Sequence, residues 1–227
     1  MKWIVPRMWE GSTAIILGGG PSLLRQFDVP DSVIQDVYTG RSKPSVYSSY
    51  LEPIHKSHII AVNVAYKIGS WIDAVFFGDP STWQEDKANL IQFKGLRITC
   101  ANNLNNDTRL KWLERDQRKR HGISTNPEMV AWNSNSGAAC INLAVHFGVK
   151  RIILLGFDMK LDGGKNQHWH KLYSTSDKQL ESTFRRHLTG FQEIRKDADA
   201  LGIEIINANP DSAITEFPKM NFKDIEL

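Results

Sequence analysis

The feature that most constrains this sequence is a set of short, unbroken apolar runs, each ending on small polar residues. Ala14-Ile15-Ile16-Leu17 enters Gly18-Gly19-Gly20-Pro21-Ser22, and His58-Ile59-Ile60-Ala61-Val62 ends at Asn63. Ala74-Val75-Phe76-Phe77 ends at Gly78-Asp79-Pro80-Ser81, and Arg151-Ile152-Ile153-Leu154-Leu155 at Gly156-Phe157-Asp158. Ile203-Glu204-Ile205-Ile206 runs into Asn207-Ala208-Asn209-Pro210-Asp211-Ser212, and Leu96-Arg97-Ile98-Thr99 is a weaker sixth run. Continuous rather than alternating apolar runs are the mark of strands covered on both faces in a parallel sheet.

Helical patterns lie between them. Ser136 is placed to cap a helix reaching Phe147, with Cys140, Leu143, Ala144 and Phe147 on one face and Gly148 as its stop. A second helix is predicted from about Asp177 to Leu201, closed by Gly202, with the stripe Leu180, Phe184, Leu188, Phe191, Ile194, Ala198 and Leu201. Strand–helix alternation predicts a Rossmann-like, doubly wound α/β fold: a mostly parallel sheet of about six strands with helices on both faces. One domain is expected across residues 1–227, with excursions at about 38–57 and 100–135 and a lid-like loop at about 159–176.

Composition excludes several classes. Hydrophobic residues make up 41% and charged residues 23%, which rules out a disordered or coiled-coil chain. The net charge of +3 is too small to argue for a nucleic-acid partner by itself. Cys100 and Cys140 have no C-x-x-C spacing, so neither a disulfide scaffold nor a four-cysteine zinc site is expected. No apolar run is long enough for a leader or a membrane span, which points to a cytoplasmic protein. Seven tryptophans leave self-association into a homo-oligomer open.

Small polar residues after every strand would gather at one edge of such a sheet, where ligands bind in open parallel sheets. The residues so collected are Gly18, Gly19, Gly20, Ser22, Asn63, Asp79, Ser81, Asp158, Asn209 and Ser212, and Ser136-Gly137, opening the helix before the Arg151 run, would point its amides at the same edge. The glycine loop is no Walker loop, because no Gly-Lys-Ser/Thr follows, and no dinucleotide fingerprint, because Leu23 stands where the third glycine belongs. A backbone without side chains at a strand end still lets amides approach a phosphate or sugar, so a nucleotide-type ligand is expected. His168-Trp169-His170 follows Asp158 through a loop containing Gly163-Gly164. With Asp158 or Asp162 the two histidines could hold a metal, but no third ligand has motif spacing, and a general base on a mobile loop is preferred. His55, His58, His121, His146 and His187 read as surface or packing residues. From Arg109 to Arg120 six basic residues face two acidic ones, which reads as a solvated helix face or a contact with an anionic partner such as DNA, with Trp112 able to stack on a base.

Taken together, these residues resemble a known family. Leu17-Gly18-Gly19-Gly20-Pro21-Ser22-Leu23 looks like the G-x-G-P-S-L opening of the bacterial CMP-sialic-acid-dependent sialyltransferases. The Ala74–Phe77 run into Asp79-Pro80-Ser81 is similar to the family's second nucleotide loop. Ser136-Gly137 followed by Ala144, Gly148, Ile152 and Leu155-Gly156-Phe157-Asp158 resembles its S-G…A…G…I-x-L-x-G-x-D segment, and Asn209-Pro210-Asp211-Ser212 its closing P-x-S loop. An archaeal 6-hydroxymethylpterin pyrophosphokinase family and many phage and prophage proteins share this skeleton, and the chain looks closest to the phage group. The resemblance implies a sheet that grips a cytidine nucleotide with Gly19, Gly20, Asn63 and Ser136, and a loop histidine that deprotonates the acceptor hydroxyl. Gly19 stands where the sialyltransferases carry asparagine. Lys160 stands in place of a tyrosine that steadies the leaving phosphate, a charge that an ammonium can also balance.

The leading expectation is therefore a glycosyltransferase using a nucleotide-sugar donor, CMP-linked in the family, with no tightly bound cofactor. His168 or His170 is its base, and Lys160 stabilises the leaving phosphate. Asn63, Asp79 and Ser136 position the nucleotide, and the acceptor is phage DNA, capsid protein or a host glycan. One rival is pyrophosphoryl transfer from ATP with Mg²⁺ on Asp79 and Asp158. Another is a nucleotide-binding phage protein without chemistry.

Overall fold

In a computed structural model of the chain, residues 3–161, 167–171 and 177–227 are described, with residues 177–181 described in their backbone alone. The expected apolar runs are strands: β1 (Thr13–Leu17), β2 (His58–Val62), β3 (Ala74–Phe77), β4 (Leu96–Thr99), β8 (Arg151–Leu155) and β9 (Glu204–Asn207). The two-residue β5 (Lys111–Trp112) joins the edge, making a seven-stranded sheet in the order β5-β4-β3-β2-β1-β8-β9. Every pairing in it is parallel. A separate parallel pair is formed by β6 (Glu114–Arg115) and β7 (Met129–Val130).

Each central strand is buried on both faces because alternate residues serve different cores. Ala14, Ile16, Ile60, Phe76, Ile152 and Leu154 pack under α4 (Ser136–Phe147) and α6 (Phe191–Leu201). Ile15, Leu17, Ile59, Val75, Phe77, Ile153 and Leu155 pack under α1 (Ser22–Arg25), α2 (Asp31–Tyr38) and α3 (Pro80–Gln92). Helices thus cover both faces, which is why the runs show no alternation.

Three local expectations are corrected. Asn135, not Ser136, caps α4: its side chain accepts from the Gly137 and Ala138 amides. The long helix over 177–201 is two helices, α5 (Asp177–Leu188) and α6, divided at Thr189-Gly190. Gly190 lies against Asn133, where a Cβ would stand 2.7 Å from Oδ1. The basic stretch 109–120 is not a helix but carries β5 and β6, and several of its cations are engaged locally. Arg109 pairs with Asp107 at 2.6 Å and Lys119 with Asp197 at 2.8 Å.

The topology has one switch point. From β1 the chain steps to β2 and outward to β5, while β8 and β9 lie on the other side of β1. Loops leaving β1 and β8 therefore diverge to opposite faces and open a crevice between Gly18–Gly20 and Gly156–Asp158.

Candidate functional site

A cavity of about 420 Å³ lies at this crevice. Its floor is the glycine loop, and each glycine there is dictated by a protein neighbour. A Cβ on Gly18 would stand 2.5 Å from the Gly156 carbonyl oxygen, one on Gly19 2.6 Å from Nδ1 of His168, and one on Gly20 2.6 Å from the Asp158 carboxyl carbon. The amides of Gly18 and Gly20 donate to the carbonyls of Leu155 (2.7 Å) and Gly156 (2.9 Å). The run thus serves close approach of two strand ends rather than presenting those two amides to a phosphate, as the sequence alone suggested. Gly156 turns the chain away from β8 at φ +73°, a conformation that glycine adopts freely.

Asp158 is a clamp between strand ends. Its carboxylate accepts from the Ser22 amide at 3.1 Å, from the Ser22 hydroxyl, and from the Asn209 amide nitrogen at 2.9 Å. The Ser212 hydroxyl donates to the Phe157 carbonyl at 2.6 Å, and the Ala213 amide donates to the Asp158 carbonyl. Burial raises the Asp158 carboxyl, against the lowering effect of its Ser22 and Asn209 hydrogen bonds. Ser22, Asn209 and Ser212 do not line the cavity; Ser22 and Asn209 hold Asp158, which does, and Ser212 holds the carbonyl of its neighbour Phe157.

Residues 167–171 seat on the glycine loop through Trp169. Its amide donates to the Gly19 carbonyl (2.9 Å) and its indole N–H to the Gly18 carbonyl (3.2 Å), and its ring is fully buried edge-on to Tyr47. The tryptophan sets the two flanking histidines in parallel planes, with ring centroids 5.0 Å apart. Burial pushes the His168 imidazole down to about 4, with the Gly19 backbone pulling the other way. Burial and the neighbouring His168 push His170 down to about 2. Both are neutral near pH 7. His170 is the deeper of the two, at 5% exposure.

The facing wall comes from β2, β3 and the start of α4. Asn63, Asp79, Trp132 and Ser134 to Gly137 line it, and Arg120, Phe184, Arg186 and His187 close the rim. The buried Oδ1 of Asn63, a residue of the cavity lining, has no hydrogen-bond partner among the described residues. Ser136 is turned back into the protein and accepts from the Gly78 amide at 3.3 Å. The Arg115 guanidinium lies 4.3 Å from the Trp132 ring centroid and is itself fixed by bonds to the carbonyls of Gly78 (2.8 Å) and Cys100 (3.0 Å). The backbone is strained here: among the described non-glycine residues with positive φ, Asn63 (53°), Ser134 (54°) and Met159 (52°) all line the cavity. Such strain collects where a site must be held against local preference.

Of the sequence-derived set, Gly18, Gly19, Gly20, Asn63, Asp79, Ser136, Gly137, Asp158, His168 and His170 meet at the cavity. Ser81 is exposed and lies outside it. Lys160 also lies outside, in a neighbouring depression, where its ammonium pairs with Asp211 at 2.7 Å. Among the described residues the cations that line the cavity are Arg120 and Arg186. His187, which the sequence reads as a surface or packing residue, also lines the cavity and is pushed by burial down to about 4. Trp132 and Arg186 carried no motif and came into view only through tertiary placement, while Arg120, the end of the basic stretch read as a helix face or an anion contact, lines this cavity. Among the described residues no three potential metal ligands cluster, and Asp162 and most of the lid-like loop fall outside those residues. No helix among the described residues is long and apolar enough to cross a membrane.

Switch point, sheet order and two-sided core define a Rossmann-like α/β fold, one that solved glycosyltransferases share. One is the MAf glycosyltransferase of Magnetospirillum magneticum AMB-1, at TM-score 0.59 and 10% identity, which covers 100% of this chain. This chain spans 37% of that protein's length. Another is the sialyltransferase CstII of Campylobacter jejuni, solved in complex with a substrate analogue, cytidine-5'-monophosphate. The match has TM-score 0.50 and 15% identity, covering 93% of this chain and 85% of that one. At these identities the likeness is one of fold. No protein-family model matches the chain, and no curated protein does.

Proposed function

We propose that this chain is a glycosyltransferase that moves a sugar from a nucleotide donor, CMP-linked, to a hydroxyl acceptor by direct displacement. The observation that carries the reading is a neutral, deeply set imidazole, His168, on one wall of a switch-point cavity whose rim holds two arginines. The nucleoside lies toward Asn63, Asp79 and Trp132, with Asn63 Oδ1 accepting from it and the Trp132 ring offering a flat apolar face. Arg120 and Arg186 attract the phosphate and stabilise the charge that develops on it.

In the reaction the acceptor oxygen bonds to the anomeric carbon while the bond from that carbon to the phosphate oxygen breaks. The electron pair leaves with the nucleotide, and the hydroxyl proton passes to the His168 imidazole. An anionic phosphate arriving beside His168 raises its pKa from the low value of the empty site toward the working range. His170 stacks behind as a positioning residue.

A nucleotide panel read by thermal shift tests the donor side. Cytidine monophosphate is expected to stabilise the protein without Mg²⁺, since a ligand of the native state raises its melting temperature. His168→Ala is expected to lower sugar transfer by about 10²–10⁴-fold, the usual contribution of a general base. Stabilisation by ATP alone, and only with Mg²⁺, would replace this reading with pyrophosphoryl transfer. That rival draws on Asp79 and Asp158 as metal ligands, and the Asp158 carboxylate is already engaged by Ser22 and Asn209.

A further inference from the structure

His168 lines two cavities. Besides the nucleotide cavity it forms part of the wall of a second one, of about 530 Å³, between the glycine loop and α2. Among the described residues it is the one side chain that lines both. A base that deprotonates an acceptor for attack on a donor must touch both molecules, within hydrogen-bond reach of the acceptor hydroxyl. A second cavity meeting the first at that imidazole has the placement the acceptor needs.

The lining indicates what the cavity takes. Asp31, Gln35 and Tyr38 fall at i, i+4 and i+7, so α2 turns one face of hydrogen-bonding groups toward it. Arg25 from α1 and Trp169 complete the wall near His168. The charged residues of the lining are one of each sign, Arg25 and Asp31, with the Lys171 ammonium 6.0 Å from the Tyr38 ring centroid, so the cavity lacks the run of cations that gathers a polyanion in a nucleic-acid groove. Donors and acceptors on planar groups, with an aromatic ring among them, match a neutral polyhydroxyl compound. The volume lies within the range of small-molecule sites, roughly 300–1,000 Å³.

We propose that this second cavity is the acceptor site and that it binds a neutral hexose unit, presenting one hydroxyl to His168. The role as acceptor site rests on the glycosyltransferase reading; the existence of the sugar site does not.

Ligand-observed saturation-transfer NMR tests it, with methyl galactoside, methyl glucoside and methyl N-acetylglucosaminide as probes and cytidine monophosphate as a separate ligand. At least one glycoside is expected to be saturated by the wild-type protein, to stay bound when cytidine monophosphate is added, and to lose about tenfold in affinity in Gln35→Ala and Asp31→Asn. Both positions are exposed, so the variants are expected to fold, and circular dichroism checks that they do. Displacement of the glycoside by cytidine monophosphate, indifference to both substitutions, or binding of the nucleotide with no glycoside bound would each overturn the proposal. Glycoside binding that depends on α2 while cytidine monophosphate fails to bind would uphold the sugar site and sink the nucleotide reading instead.

Discussion

A Cβ on Gly19 would stand 2.6 Å from Nδ1 of His168. The glycine whose neighbours look like a phosphate-binding loop is therefore also the seat of the proposed base. Gly19→Ala must push the imidazole away from the glycine loop while leaving both strand ends paired. The expected outcome is a loss of sugar transfer of at least about tenfold, given how steeply rate depends on placement of a catalytic group. The melting temperature should move by only a few degrees. Full activity in this variant would show that His168 does not act from this position.

The buried histidines set the acid limit of stability. Unfolded, each titrates near 6.5; in the fold, burial holds His168 and His187 at about 4 and His170 at about 2. As the pH drops below 6.5 the unfolded chain takes up protons that the native chain refuses. Stability is therefore full above 6.5 and declines with falling pH, down to about 4 for His168 and His187 and further for His170. Each histidine contributes a slope of up to about 1.4 kcal/mol per pH unit. Urea denaturation at pH 7, 6 and 5 checks this, and a flat profile would mean the imidazoles are more open to water.

Asp158→Asn tests the clamp. All three contacts to the carboxylate are donated to it, so an amide in its place turns its N–H groups against the Ser22 backbone N–H in one orientation and the Asn209 side-chain N–H in the other. The cost of leaving a buried donor unsatisfied is about 1–3 kcal/mol. Nucleotide affinity should fall with stability, because the loops after β1, β8 and β9 are joined through this one group. Unchanged stability in chemical denaturation would contradict that role.

Arg115 is expected to act on the nucleotide through Trp132 without touching it. With its guanidinium 4.3 Å from the ring centroid and anchored to two carbonyls, it covers the indole and holds it in place. Arg115→Ala should weaken nucleotide binding about fivefold, in line with a cation–π contact of roughly 1 kcal/mol. Trp132→Ala should weaken it more. Isothermal titration with cytidine monophosphate distinguishes them, and equal affinity in all three proteins would remove Trp132 from the site.

Trp169 was visible in the sequence only as the residue between two histidines, and its role shows how far pattern reading reaches. The strands from β1 to β4, β8 and β9 were legible because a strand buried on both faces must be apolar at every position, which is a local property. The residues after those strands were legible for the same reason: small polar groups end strands, and parallel strands bring their ends to one edge. That alone brings Asn63, Asp79 and Asp158 to one edge, and all three line the cavity.

The order of the strands was not a local property. It follows from which faces the helices cover, and it put the crevice between β1 and β8, so that Gly18–Gly20 met Gly156–Asp158. Side-chain commitments were decided there too. Lys160 lies in the stretch the sequence pointed to, yet it finds Asp211 in a neighbouring depression, while Arg120 from the basic stretch and Arg186 from a segment with no motif reach the cavity. The stripe that reads as one helix is divided at Thr189-Gly190, and Asn133 packs where a Cβ on Gly190 would stand. Hydrophobic periodicity acts through each segment's own burial and so is written in the sequence. Which charge meets which cavity depends on contacts between distant segments, and only the folded chain brings those about.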